Sequence, residues 1–310
     1  MDTNTSPSAP GGRLEIFLLP EAGVRGAHVR LDDAWREIIA RNEDPDAVRD
    51  LLGQAVAATA LLTAHTKVDG RLSVQLRSNG ALRSLFAECT GARTVRGLVR
   101  LAEDTSPVAA TAEALDLTHL GGDAVMAITI ENPTPSGEPV RYQGLVPLES
   151  PTLAGAFEDY FRQSEQLPTR LLLAANGEHA TGLLLQKLPA SHADDDGWNR
   201  IEQLFSTLGA DELQSVDATT LLHRLFHQET LQMLGQRDLQ FGCSCSHERV
   251  AEVLRTLGRE EALAAVEAGT GGEAEIRCEF CGQRYHFDAA QVEALFLTPS
   301  PNIDAPNRLQ

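Results

Sequence analysis

No stretch of the 310-residue chain is apolar enough to cross a bilayer. The longest apolar run, Ala55 to Ala64, falls well short of the roughly 20 residues a membrane helix needs. The opening residues, Met1-Asp2-Thr3-Asn4-Thr5-Ser6-Pro7, hold no basic segment followed by an apolar one. No secretory signal is read, and a cytoplasmic location with reduced thiols is expected. Basic charge is also scarce: 26 Lys and Arg against 44 Asp and Glu leave a formal net charge of −18. With no basic stripe to follow phosphates, neither a nucleic-acid nor a membrane partner is expected. A phosphate-binding loop is missing too. Gly269-Thr270-Gly271-Gly272 lacks the adjacent Lys and Ser/Thr and reads as a flexible connector, so no use of ATP is expected. No Ser/His/Asp set or paired carboxylates stand out, and the chain is not read as an enzyme.

What is present is an ordinary globular composition, 42% hydrophobic, in a chain long enough for two domains. Residues 1–12, ending in Pro10-Gly11-Gly12, read as a disordered tail. Residues 13–190 alternate β-rich runs with helical ones. Strands are expected at 13–18, 24–31, 72–77, 82–90, 94–101, 123–131, 139–146, 169–176 and 178–187. Ser78-Asn79-Gly80 is a hairpin turn between two of them. One helix should run from Asp44, with Pro45 in its first turn, to about His65. A second, 152–167, places Leu153, Phe157, Tyr160 and Phe161 on one face. The mixed order predicts an α+β fold built on an N-terminal mixed α/β-sheet domain. Residues 191–240 read as a helical linker, with short, marginally stable helices at 197–208, 217–226 and 228–235. A small zinc domain is expected at 241–297, and a Pro-rich tail at 298–310.

That last domain rests on four of the five cysteines. Cys243-Ser244-Cys245 and Cys278-Glu279-Phe280-Cys281-Gly282 form two close pairs, and four thiolates satisfy one Zn²⁺ in a tetrahedron. Gly282 can take the positive φ that a zinc knuckle needs, and Arg284 to Phe287 should follow as a strand. Ser246 is a good N-cap for a helix carrying Val250, Val253, Leu254 and Leu257 on one stripe. A thiolate at Cys245 is favoured by that helix N-terminus.

A four-thiolate site can be a structural clip that folds a module with a poor core. It can equally be a redox switch, in which oxidation of the sulfurs ejects the metal. Most such sites are structural, and chemistry alone favours the clip. The Cys-x-Cys pair pulls the other way, because its sulfurs are close enough to be bridged in a strained, readily reduced ring. A thiol oxidoreductase at Cys278 and Cys281 is less favoured, since the sequence after Cys281 reads as a hairpin rather than the helix that lowers such a thiol's pKa. Cys89 alternates with Leu85 and Ala87 on a strand face and reads as packing. His247 and His286 lie near the ligands and are left in surface or outer-shell roles.

The stretch Phe241-Gly242-Cys243-Ser244-Cys245-Ser246-His247-Glu248-Arg249-Val250, with Cys278-Glu279-Phe280-Cys281-Gly282 about thirty residues on, resembles the zinc domain of the 33-kilodalton heat-shock chaperonin family. The resemblance continues in His223-Arg224-Leu225-Phe226-His227, in Ser164-Glu165-Gln166-Leu167-Pro168-Thr169 and in Gly70 to Leu76. It implies a redox-regulated holdase that needs no ATP. In its reduced form Cys243, Cys245, Cys278 and Cys281 bind one Zn²⁺ and the protein is inactive. Oxidation joins Cys243 to Cys245 and Cys278 to Cys281 and releases zinc. The linker then unfolds, a homodimer forms, and unfolding client proteins are bound. The competing expectation is a constitutive zinc-ribbon adaptor with a purely structural metal.

Overall fold

The computed structural model describes residues 11–41, 44–66, 68–103, 115–189, 194 and 196–297. The expected terminal tails lie largely outside these. The chain divides into two compact units, one reaching Gly242 and one beginning at Cys243.

In the first unit, all nine expected strands form. They are β1 (Gly12–Leu19), β2 (Val24–Leu31), β3 (Arg71–Arg77), β4 (Leu82–Thr90), β5 (Thr94–Leu101), β6 (Val125–Asn132), β7 (Val140–Val146), β8 (Thr169–Ala175) and β9 (Ala180–Lys187). A tenth, β10 (Gln232–Phe241), completes a single sheet in the order β7-β6-β3-β4-β5-β10-β1-β2-β9-β8. β1 begins at Gly12, inside the stretch read as a tail, and the Gly11 carbonyl accepts from the Asp32 and Ala34 amides. Neighbouring strands are antiparallel except at the join of β10 with β5, where only Gln240↔Thr94 and Phe241↔Val95 pair, in parallel. The Ser78 turn links β3 to β4 in an antiparallel pair, with Ser78 N–H donating to the Arg83 carbonyl at 3.2 Å. Period-2 alternation sets the faces: Leu72, Val74 and Leu76 of β3 are buried between exposed or half-buried neighbours.

Helix α1 (Asp33–Ile39) and the long α2 (Asp46–His65, capped by Pro45) pack on one face. Every residue of α2 from Ala55 to Ala64 is buried, so the apolar run that is too short for a bilayer is the central core helix. Its two polar members are satisfied locally: Thr59 and Thr63 hydroxyls donate to the carbonyls three residues back, at 2.7 Å each. Helix α3 (Leu153–Tyr160) continues into a π-turn over 161–165. Gln166 then turns left-handed (φ 57°) and ends the helix before Pro168.

The opposite face carries α4 (Gly197–Ser206), α5 (Ala210–Ser215) and α6 (Ala218–Phe226). Ile201, Phe205, Leu213, Leu221 and Phe226 close over Phe17, Leu19, Leu183 and Leu185 in a second apolar cluster. Arg200 pins the set by donating to Glu229 (2.6 Å) and Asp194 (2.8 Å). The helix expected at 228–235 does not form: from Gln232 the chain is β10, paired with β1. The ladder to a strand more than two hundred residues earlier overrides a local preference that was only weakly helical.

The second unit holds α7 (His247–Leu257), α8 (Arg259–Ala268), the hairpin β11 (Glu273–Arg277) and β12 (Arg284–Asp288), and α9 (Ala289–Leu297). Its core is small: Val250, Ala251, Leu254, Ala262, Val266, Ala274, Phe287 and Val292. Of the stripe expected on α7, Val250 and Leu254 are buried, whereas Val253 and Leu257 are exposed. Ala251 faces inward with the former two, because the helix packs against α8 and α9 along a narrower seam.

Candidate metal centre

Two local structures present the four sulfurs. Cys243 and Cys245 sit on the extended segment before α7. There Ser246 caps the helix by accepting from the Arg249 amide at 3.3 Å, and Arg249 Nη1 ties the segment down by donating to the Ser244 carbonyl at 2.6 Å. Cys278 and Cys281 sit on the turn between β11 and β12. The Gly282 amide donates to the Cys278 carbonyl and the Cys278 amide to the Gln283 carbonyl, both at 2.8 Å. Gly282 has φ +70°, which only glycine adopts without cost, and closes this knuckle.

These elements bring all four Sγ atoms within 4.8 Å of one another. Cys243 Sγ lies 3.7 Å from Cys278 Sγ, and Cys245 Sγ 3.2 Å from Cys281 Sγ. A tetrahedral zinc with Zn–S of about 2.3 Å sets its sulfurs about 3.8 Å apart, so donor number, donor type and spacing fit that ion. Crowded thiols share few negative charges without a cation. Burial raises Cys281 to about 12, reinforced by its sulfur neighbours, and raises Cys243. At Cys245 burial also opposes ionisation, but hydrogen bonds from Tyr285 and the other thiols outweigh it and lower the group to about 7. All four cysteines are half-buried.

The Tyr285 hydroxyl donates to Cys245 Sγ at 3.1 Å. Sequence reasoning missed this residue. Its signal is the alternation along β12, which puts Tyr285 on the same inward side as buried Phe287. His247 stacks on Phe287 with ring centroids 4.4 Å apart, and His286 lies 3.5 Å from Glu273 and 3.8 Å from Glu275. Cys281 leads through its turn into β12 and not into a helix. Cys89 is buried in the sheet core, where burial raises its thiol to about 12, and it takes no part in the cluster.

Fold and site together define an α+β protein with a C-terminal four-cysteine module suited to a metal ion. Residues 13–288 match the family model described as Hsp33 protein. The chain is 43% identical over 286 residues to the 33 kDa chaperonin of Ectopseudomonas mendocina, covering 90% of this chain and 93% of that one. It is 41% identical over 296 residues to the 33 kDa chaperonin of Pseudomonas fluorescens strain SBW25, covering 94% and 95%. The crystal structure of the 33 kDa chaperonin (heat shock protein 33 homolog) of Thermotoga maritima shares the fold. It has a TM-score of 0.72 at 20% identity and spans 93% of this chain and 98% of that one. The chain belongs to the Hsp33 family.

Proposed function

We propose that this protein is a cytoplasmic, ATP-independent chaperone of the holdase type, switched on by oxidation of its four-cysteine centre. The observation that carries this reading is the convergence of four half-buried sulfurs within 4.8 Å, on a module whose own core is too small to be stable unaided. One Zn²⁺ per chain, held by Cys243, Cys245, Cys278 and Cys281, would keep the sulfurs as thiolates and clip the module together. A two-electron oxidant such as peroxide takes an electron pair from each cysteine pair. One S–S bond then forms between Cys243 and Cys245 and another between Cys278 and Cys281, so four electrons leave per chain. The sulfurs thereby cease to be thiolate donors, and the clip is lost.

Chain continuity passes this loss on, because Cys243 lies two residues beyond Phe241, the last residue of β10. The segment 197–241 loosens in turn and uncovers Phe205, Leu221, Leu225 and Phe226. Apolar surface of this kind captures unfolding proteins, and a second copy of the chain shares it in the active homodimer. The charge of −18 keeps the opened form soluble.

Peptide mapping after peroxide treatment, with elemental analysis of the reduced protein, tests the chemistry. The expected result is one zinc per reduced chain and the two sequence-neighbour disulfides. Less than half an equivalent of zinc, or disulfides running 243–278 and 245–281, would sink it.

A further inference from the structure

Cys245 accepts a hydrogen bond from a side chain outside the cluster: Tyr285 O–H donates to its Sγ at 3.1 Å. The phenol is held from both sides. Tyr285 lies on β12 opposite Ile276 of β11, in a hairpin paired from Glu273↔Asp288 to Arg277↔Arg284. The His247 ring, stacked on Phe287, stands 6.4 Å from the Tyr285 ring at an interplanar angle of 63°. His247 is the first residue of α7, two positions after Cys245, so the strand that aims the hydroxyl and the segment that carries the sulfur are packed as one body. A metal site is complete with four sulfurs and needs no fifth group. An O–H aimed at one of them therefore acts on that sulfur's chemistry.

We propose that Tyr285 is a positioning residue that restrains the reaction of Cys245 with oxidants and so sets the oxidant level at which the centre opens. The inference rests on the four-cysteine switch proposed above. In the reaction that it governs, the Cys245 thiolate donates an electron pair to a peroxide oxygen. The O–O bond breaks, a sulfenic acid forms on sulfur, and hydroxide leaves. A neighbouring cysteine thiolate then displaces the sulfenic oxygen as a second hydroxide and completes the S–S bond. A hydrogen bond to a thiolate draws off the electron density that the first of these steps uses and holds one lone pair in place.

The experiment compares the zinc-loaded wild type, Tyr285→Phe, and the protein carrying 3-fluorotyrosine at position 285. That third protein has a more acidic phenol, still protonated near neutral pH, and so a stronger donor. Each is exposed to limiting hydrogen peroxide while zinc release is followed with a colorimetric chelator. The four cysteines are then quantified separately by isotope-coded alkylation. Loss of a hydrogen bond to a charged group predicts that Cys245 oxidises roughly threefold to tenfold faster in Tyr285→Phe. Zinc release should quicken with it, and the fluorinated protein should be slower than wild type. Phe287→Leu, which loosens the same strand and keeps the phenol, serves as the structural comparison and should not single out Cys245.

Opposite displacements of the two position-285 proteins, selective for Cys245, support the proposal. Unchanged rates overturn it, as does a uniform acceleration of all four cysteines like that of Phe287→Leu. Should Tyr285→Phe fail to hold zinc, the fluorinated protein decides alone, and a rate equal to wild type overturns the proposal. Wild-type zinc content and disulfide pairing report separately on the underlying switch.

Discussion

Replacing Phe226 by Ala is expected to open the protein without any oxidant. Phe226 is 1% exposed at the end of α6, and its ring centroid lies 6.2 Å from that of fully buried Phe17 on β1. It therefore helps hold α4 to α6 on the sheet. Removing a buried phenyl ring costs about 3–5 kcal/mol, a large part of a domain's whole stability of about 5–15 kcal/mol. The loss falls on the interface between the helices and the sheet, because the α2 core lies on the other face. At about 1.4 kcal/mol per tenfold, the open population should rise roughly a hundred- to several-thousand-fold. Hydrogen exchange on the reduced, zinc-loaded variant reads this directly. Amides of 197–226 should lose protection by that factor while those of α2 keep theirs. Reduced Phe226→Ala should also suppress aggregation of a thermally unfolding client, which the reduced wild type should not. Equal loss of protection in α2 and in 197–226 would show that the helices are no separate unit. A variant that opens and still ignores clients would show that this apolar face is not what holds them.

Gly282→Ala puts a side chain at φ +70°, which costs about 1–2 kcal/mol, and should weaken zinc affinity roughly tenfold in competition with a chelator while leaving melting of the first unit unchanged. The His65 imidazole is pushed by burial from 6.5 down to about 4. As pH falls the unfolded chain takes up its proton first, so stability from the neutral ring is complete above about pH 6.5 and is gone once pH drops through about 4. That amounts to about 3 kcal/mol at most. Urea midpoints between pH 7 and 4 should therefore fall less steeply for His65→Leu than for wild type, and parallel slopes would refute the assignment. Cys278→Ser should bind zinc weakly and leave the first unit folded, as read by metal analysis and circular dichroism.

How much of this was legible in the sequence depended on period and locality. The strands of the first unit were readable because one face of each is buried and the other is not, as in Leu72-Ser73-Val74-Gln75-Leu76. β10 was not readable, because only Leu239 of its ten residues is buried and its partners are β1 and β5, far away in sequence. Helices α1 and α5 are seven and six residues long, too short to display a period. On α7 the apolar spacing takes in Val253 and Leu257, which a five-element module is too small to cover. At the four-cysteine cluster the reverse held. The four cysteines were legible because ligand chemistry fixes residue type and local spacing. Tyr285 was not, because its contact with Cys245 joins segments forty residues apart and exists only in the fold.

The most direct test of the central claim is a single peroxide titration in which released zinc and client protection are measured on the same samples. The account predicts that reduced protein retains one zinc and leaves a thermally unfolding client to scatter light. Protection should then rise in proportion to zinc released, with ATP making no difference, and should reverse only when reductant and zinc are restored together. Full protection by reduced protein with its zinc in place would contradict the account, and so would complete zinc release that brings no protection.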